Sequence, residues 1–280
     1  MPVRRLPRLR LVLLLALLAL LGWWASLRPS NERDWTPNMA VLPYAEFADS
    51  LVLVHHVRNT AYASAERYTP RYDDRVFDLR RLERVWFVVV PFSTWGGVAH
   101  TFLTFEFTGP EFVAISVEAR RERDEGYHFL KGLFRRYELA YIVADERDAI
   151  GMRATVLGDE VFLYPVRAPP ARIRAMFVAM LERANQLRER PRFYNTLVAN
   201  CTNTIVQHVN TLVPDRIPPW SPKVLFPGYS DRLAYDLGLI ASDLPFDRAR
   251  ARFRVGDRAA RYADSADFSL HIRDLTPENH

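Results

Sequence analysis

The chain has 280 residues, 49% of them apolar, a formal charge of +5 and one cysteine. A length of this order can bury a sizeable core, and a single thiol excludes an internal disulfide framework. Five arginines (Arg4, Arg5, Arg8, Arg10, Arg28) stand in the first 28 residues without an acid, leaving 33 of the 38 basic residues to face 33 acidic ones; the body is neutral and has no nucleic-acid footprint.

Residues 1–10 form a basic tail, and 11–27, "LVLLLALLALLGWWASL", are uncharged. As a helix this run rises about 25 Å, close to the ~30 Å of a hydrocarbon core. The arginines keep the tail cytoplasmic and send the rest outward, with Trp23 and Trp24 at the far interface. The apolar run also suits a signal peptide, but the bulky Trp pair occupies the zone where small residues would mark cleavage. An uncleaved signal-anchor is therefore expected, and either way the body is exported. The polar, proline-containing stretch 28–40 reads as a linker.

The body, 41–244, begins with a strand-like segment, "DSLVLVHHVRNTAYAS". Five further strands are expected over 82–92, 99–108, 111–122, 136–148 and 160–166, joined by short turns, which predicts a mostly antiparallel sheet in an α+β fold. Within 99–108, alternation puts His100, Phe102, Thr104 and Glu106 on one face and Thr101, Leu103, Phe105 and Phe107 on the other. Pro169 and Pro170 open a helix whose apolar stripe is Ile173, Met176, Phe177, Met180, Leu181, Ala184 and Leu187. Asn200 is placed to cap a second helix beginning at Cys201 and continuing through Ile205, Val209 and Leu212. A third, short helix is expected in "SDRLAYDLGLI", with Ser230 as its cap. The extension 245–280 reads as surface wrapping or disorder.

Cys201 would stand in the first turn of its helix, where unpaired amides and the macrodipole favour a thiolate. A buried, inert thiol is the competing reading. A nucleophile needs a base. His280 is terminal, His271 lies in the extension, His128 in a loop, and His208 two turns along the same helix; His55 and His56 stay open, without further ligands at zinc spacing. His100 is the best candidate because it starts an alternating strand directly after a Gly-Gly turn. Ser116 and Glu118 share one face of the next strand; Glu118 is the choice to orient the imidazole, against a salt bridge to Arg120 or Arg121. Tyr194 and Asn195 are placed to line the site. Arg58 in "HVRN" and Arg120 in "EARRER" are candidates for gripping a phosphate headgroup, against solvation or ion pairing.

The segments "HVRNTAYAS", "AHTFLTFEF", "ISVEARRERDEGY", "YELAYIVADERD", "RFYNTLVANCTNTI" and "LFPGYSDRLAYDLGLI" occur in the order typical of the Lnb N-terminal periplasmic domain family. The resemblance spans roughly residues 50–242. It implies a permuted papain-like fold, histidine before cysteine, with the nucleophile at a helix N-terminus, and an Asn-Cys helix start similar to that of lecithin:retinol acyltransferases. The family's namesake moves a fatty acyl chain onto the N-terminal cysteine of a bacterial lipoprotein. By motif, Cys201 matches the nucleophile and His100 the base; Glu118 as the third group, and Asn200, Tyr194, Arg58 and Arg120 around the substrate, come from the residues and not from the resemblance. The namesake continues into a multi-helix membrane portion, whereas here the one run of spanning length precedes the domain.

The resemblance implies a cysteine acyltransferase or acyl hydrolase in the bacterial inner membrane, its domain periplasmic. Phospholipid is then the donor and a lipoprotein N-terminus or other amine the acceptor, with no cofactor and no metal. An NlpC-type peptidase or amidase acting on cell-wall peptide, or a non-enzymatic tethered binding domain, are the alternatives.

Overall fold

The computed structural model describes residues 6–92 and 95–274; Arg4 and Arg5 of the basic tail, the start of the "STWGGV" turn and His280 lie outside them. Helix α1, Leu6–Ser26, is long and apolar enough to cross a membrane, with a mean hydropathy of 2.0 over Leu9–Ser26 and none of that window buried. Its end meets the body, where Trp24 packs edge-on against Phe134 and Arg135 donates to the Trp24 carbonyl at 3.1 Å.

The stretch 28–40 is docked on the body instead of bridging to it as a linker. Trp35 is buried beneath the Arg120 guanidinium, 4.1 Å above its ring, and Arg33 pairs with Glu138 and Glu122 at 2.8 and 2.9 Å. A polar, proline-containing composition is equally that of a strap whose side chains find partners.

The strands are β1 Tyr44–Ala48, β2 Leu51–Arg58, the small hairpin β3 Ala61–Tyr62 and β4 Tyr68–Thr69, β5 Tyr72–Asp78, β6 Leu82–Pro91, β7 Ala99–Phe107, β8 Glu111–Arg120, β9 Glu138–Ala144 and β10 Phe162–Pro165. Eight of them make one sheet in the order β1-β2-β9-β8-β7-β6-β10, with β5 also paired to β2. All pairings are antiparallel except β2 with β9. The five strands expected between 82 and 166 are present. The fourth ends earlier, at Ala144, because Asp145 and Asp148 begin a π-helical segment, Arg147–Val156. β5, "YDDRVFD", is a strand beyond those expected; it sits outside the main strand path and carries charges, the usual protection of an exposed strand.

Helices α2 Phe129–Leu133, α3 Pro170–Glu189, α4 Cys201–Leu212, α5 Pro222–Leu225 and α6 Ser230–Asp236 follow. The α3 stripe is buried at the seven positions given by its spacing. With α4 it packs on one sheet face, against Leu103, Phe105, Phe107, Ile115 and Val143. Ser230 is the first residue of α6, and the cap position falls to Tyr229.

The opposite face carries Trp86, Val88, Val90, Phe102, Ala114 and Ile142, and the C-terminal extension covers it. Helices α7 Phe246–Arg252, α8 Gly256–Arg261 and α9 Phe268–His271 bury Val255, Ala259, Phe268 and Ile272 with those residues. Arg273 closes the layer with a bidentate pair to buried Glu146 and stacks over Trp86 and Phe112. Residues 246–273 are thus a layer of the fold and not a disordered tail; the apolar positions are too widely spaced along short helices to give a periodic signal.

Candidate active site

Register brings four strand ends together. Pro91 faces Ala99 and Val90 faces His100 across β6–β7, while Glu118 faces Ala140 and Arg120 faces Glu138 across β8–β9. The N-terminus of α4 is anchored at this same end. Asn200 is extended (φ −105°, ψ −177°) and its Oδ1 accepts from the Asn203 amide at 2.8 Å. Its Nδ2 donates to the Thr196 carbonyl at 2.7 Å, so the whole amide is used in the cap. Cys201 is consequently the first residue of α4 and is buried, 6% exposed.

Alternation along β7 and β8 puts His100, Ser116 and Glu118 side by side. His100 Nε2 lies 3.0 Å from Glu118 Oε1 and 2.8 Å from Ser116 Oγ, and Ser116 donates to the same Glu118 oxygen at 2.8 Å. With Nε2 engaged there, Nδ1 is the ring nitrogen left for the Cys201 thiol, with which His100 interacts. This tautomer follows from the hydrogen-bond pattern. The sulfur's hydrogen-bond partner is Thr202 Oγ1 at 3.9 Å, itself 2.9 Å from Thr101 Oγ1, and the Thr101 amide and hydroxyl also favour a negative sulfur.

The charges follow from these contacts. Burial alone would lower the His100 pKa, but Glu118 and the bond to Cys201 outweigh it and raise it to about 9. Burial would raise the Cys201 thiol, yet the bond to His100, its charge and the Thr101 donors bring the thiol below its ordinary value. Glu118 lies well below the carboxylate range because His100, Arg153 and Ser116 overcome its desolvation. The cluster therefore shifts the pair towards thiolate and imidazolium, with a carboxylate beside the ring.

A cavity of about 400 Å3 opens over this cluster. Its polar wall is His100, Glu118, Arg121, Arg153, Tyr194 and Cys201, and its apolar wall includes Phe92, Trp95, Phe129, Leu157 and Phe226. Two glycines press the surrounding loops together: a Cβ on Gly228 would fall 1.9 Å from the Gly96 carbonyl, and one on Gly132 would fall 2.2 Å from Thr196 Oγ1.

Tyr194 and Asn200 line this cavity with Cys201. Asn195 instead holds the adjoining turn, accepting from the Leu197 and Val198 amides. Arg58 and Arg120 are not among the cavity's lining, which corrects their expected headgroup role. Arg58 is buried and bidentate to Asp148, with a further bond to Asn38 O; Arg120 is spent on Met39 O, Ala40 O and Asn31 Oδ1. Neither guanidinium has a free face to offer. The cavity's cations are Arg121, adjacent in the same "EARRER" segment, and Arg153 from the π-helical segment, which pairs with Asp159 at 3.3 Å. Strand alternation would put Arg120, not Arg121, on the face of Glu118; Arg121, just past the end of β8, reaches the cavity, like Arg153 and Thr101, through tertiary geometry with no local signal.

The remaining described histidines lie elsewhere. His55 pairs with Asp74 at 2.7 Å, His56 bonds the Leu42 carbonyl, His128 caps α2 and His271 stacks on Tyr262. His208 Nε2 is 2.7 Å from the Tyr141 hydroxyl; burial, aided by Arg183, pushes its imidazole down to about 4.

The molecule is thus an α+β domain behind one apolar helix, with a cysteine, a histidine and a carboxylate joined at the mouth of a cavity. The pattern of the Lnb N-terminal periplasmic domain family matches residues 68–228, more than half of the chain and including all of that cluster, and the chain belongs to this family. No curated protein and no solved structure matches the chain.

Proposed function

We propose that Cys201, His100 and Glu118 catalyse acyl transfer through an acyl-thioester, with a membrane phospholipid as acyl donor. The observation that carries this reading is where the cavity lies in the fold. The end of the sheet bearing Cys201 is the end where α1 meets the body through Phe134 and Arg135. Around it stand exposed Trp95, Tyr127, Phe129, Leu130, Leu197 and Val198. An apolar rim beside a membrane helix suits a lipid better than a cell-wall peptide, and the uncleaved anchor keeps donor and cluster at one surface.

In the first step His100 Nδ1 holds the thiol proton and the sulfur attacks the ester carbonyl carbon, forming the C–S bond. The oxyanion meets the amides of the open first turn of α4, with the Tyr194 hydroxyl as a further donor on the cavity wall. Collapse breaks the C–O bond, and the imidazolium protonates the departing glycerol oxygen. In the second step an amine, such as a lipoprotein N-terminus, or water attacks the thioester, passes its proton to His100 and releases the thiolate. Glu118 holds the imidazolium throughout. Histidine strand before cysteine helix supports the permuted papain-like reading of the sheet and α4.

The full chain in vesicles of diacyl phospholipid is expected to release lysophospholipid, and His100→Gln to slow that release at least 100-fold, the scale of a lost general base, about 10²–10⁴. Cleavage of cell-wall peptide with no lysophospholipid would select the peptidase reading instead.

A further inference from the structure

A second cavity, of about 200 Å3, lies behind α4 on the side away from His100. Its walls are apolar: Val85, Phe87 and Leu103 from the sheet, Ile173 and Met176 from α3, and the inner face of α4. Along α4 it runs from Thr202 to Leu212, about 15 Å of helix at 1.5 Å per residue. The cavity is therefore long and narrow. Thr202, bonded to Thr101, stands between it and Cys201. Folded cores keep few voids larger than a water molecule, since the lining forfeits dispersion contacts, and an apolar void holds no ordered water.

The far end carries the only charges in the lining, and they have one sign: Arg167, Arg172 and Arg216. Arg167 is exposed and only loosely paired, 3.6 Å from Asp243. Arg216 donates to the Leu237 carbonyl and keeps its other donors. Arg172, exposed at the start of α3, has no side-chain partner among the described residues. An elongated apolar slot with an arginine mouth matches a ligand with one aliphatic chain and one anionic head.

We propose that this cavity binds a single-chain anionic amphiphile, a fatty acid or a lysophospholipid, with its chain beneath α4 and its head on Arg172, Arg167 and Arg216. The site is separate from the Cys201 cleft and needs no reaction there.

The test uses the full chain carrying Cys201→Ser, so that no thioester can form, in phospholipid nanodiscs. Two photoactivatable probes are compared, palmitate and palmitoyl-lysophosphatidylglycerol, each with a diazirine near the chain end, and the labelled peptides are mapped by mass spectrometry. Label is expected in 202–213 and 172–176, competed by the unmodified ligand. Arg172→Ala, an exposed change, should lower it about threefold, the scale of one partly solvated ionic contact. Ala234→Phe, which fills the slot, should abolish it while the melting temperature holds or rises.

Labelling by palmitate alone identifies a carboxylate ligand, by the lysophospholipid alone a phosphate ligand, and by both a site that reads only chain and charge. Label confined to α1, which samples the bilayer, would overturn the proposal. So would label in the slot that neither substitution changes.

Discussion

At the level of single residues, His100, Glu118 and Cys201 shift one another's titration, and the pH dependence this gives has a definite sign. His100 is raised from its ordinary 6.5 to about 9, so the stability it contributes is fully present below 6.5 and is lost as pH rises through the raised value. Glu118 is depressed below its ordinary 4.5, so its contribution is present above 4.5 and is lost as pH falls. In Cys201→Ser, which removes the thiol titration, urea unfolding is expected to show greater stability at pH 6 than at pH 10. Glu118→Gln in that background should flatten the difference. The thiol itself, held below its ordinary value, should react with iodoacetamide at pH 6.5 faster in the native chain than in His100→Gln, since a lower pKa leaves more thiolate.

Individual elements hold these residues in place through caps and close approaches. Asn200→Ala removes the bond to the Asn203 amide and the bond to Thr196 O together. A lost cap costs about 1 kcal/mol, and the second bond adds a similar amount; chemical unfolding should report a loss near 2 kcal/mol, with slower Cys201 alkylation because the first turn frays. Gly228→Ala drives a methyl into the Gly96 carbonyl, a backbone clash that only movement of the turn before His100 can relieve. Alkylation is expected to slow in that variant even where circular dichroism is unchanged. What was legible in the sequence follows the same division. The α3 stripe and the alternation through His100 were readable because periodicity is local, and "ANC" was readable because a cap and its helix start are adjacent. Arg58 and Arg120 were misjudged because an arginine's partners are set by tertiary contacts, here Asp148 and the 31–40 strap, of which neighbouring residues carry no trace.

Taken whole, the molecule is three layers, with α3 and α4 on one face of the sheet and the C-terminal helices on the other. The family match ends at residue 228, yet the second layer lies beyond it and carries the Arg273–Glu146 pair. Breaking a buried pair from one side leaves an uncompensated charge, a loss of about 3–5 kcal/mol. Arg273→Met should therefore destabilise the chain by that order in thermal or urea unfolding. Arg273→Met with Glu146→Leu should recover most of it. At this scale too the docked strap 28–40 and the Trp24–Arg135 contact fix the domain close to α1.

The measurement that bears most directly on the proposed chemistry is the intact mass of the full chain after incubation with phospholipid vesicles. A gain of one acyl chain, removed by hydroxylamine and absent in Cys201→Ser, is the expected result. No gain, together with a thiol that iodoacetamide does not reach in the folded chain, would make Cys201 a structural residue and contradict the acyl-enzyme.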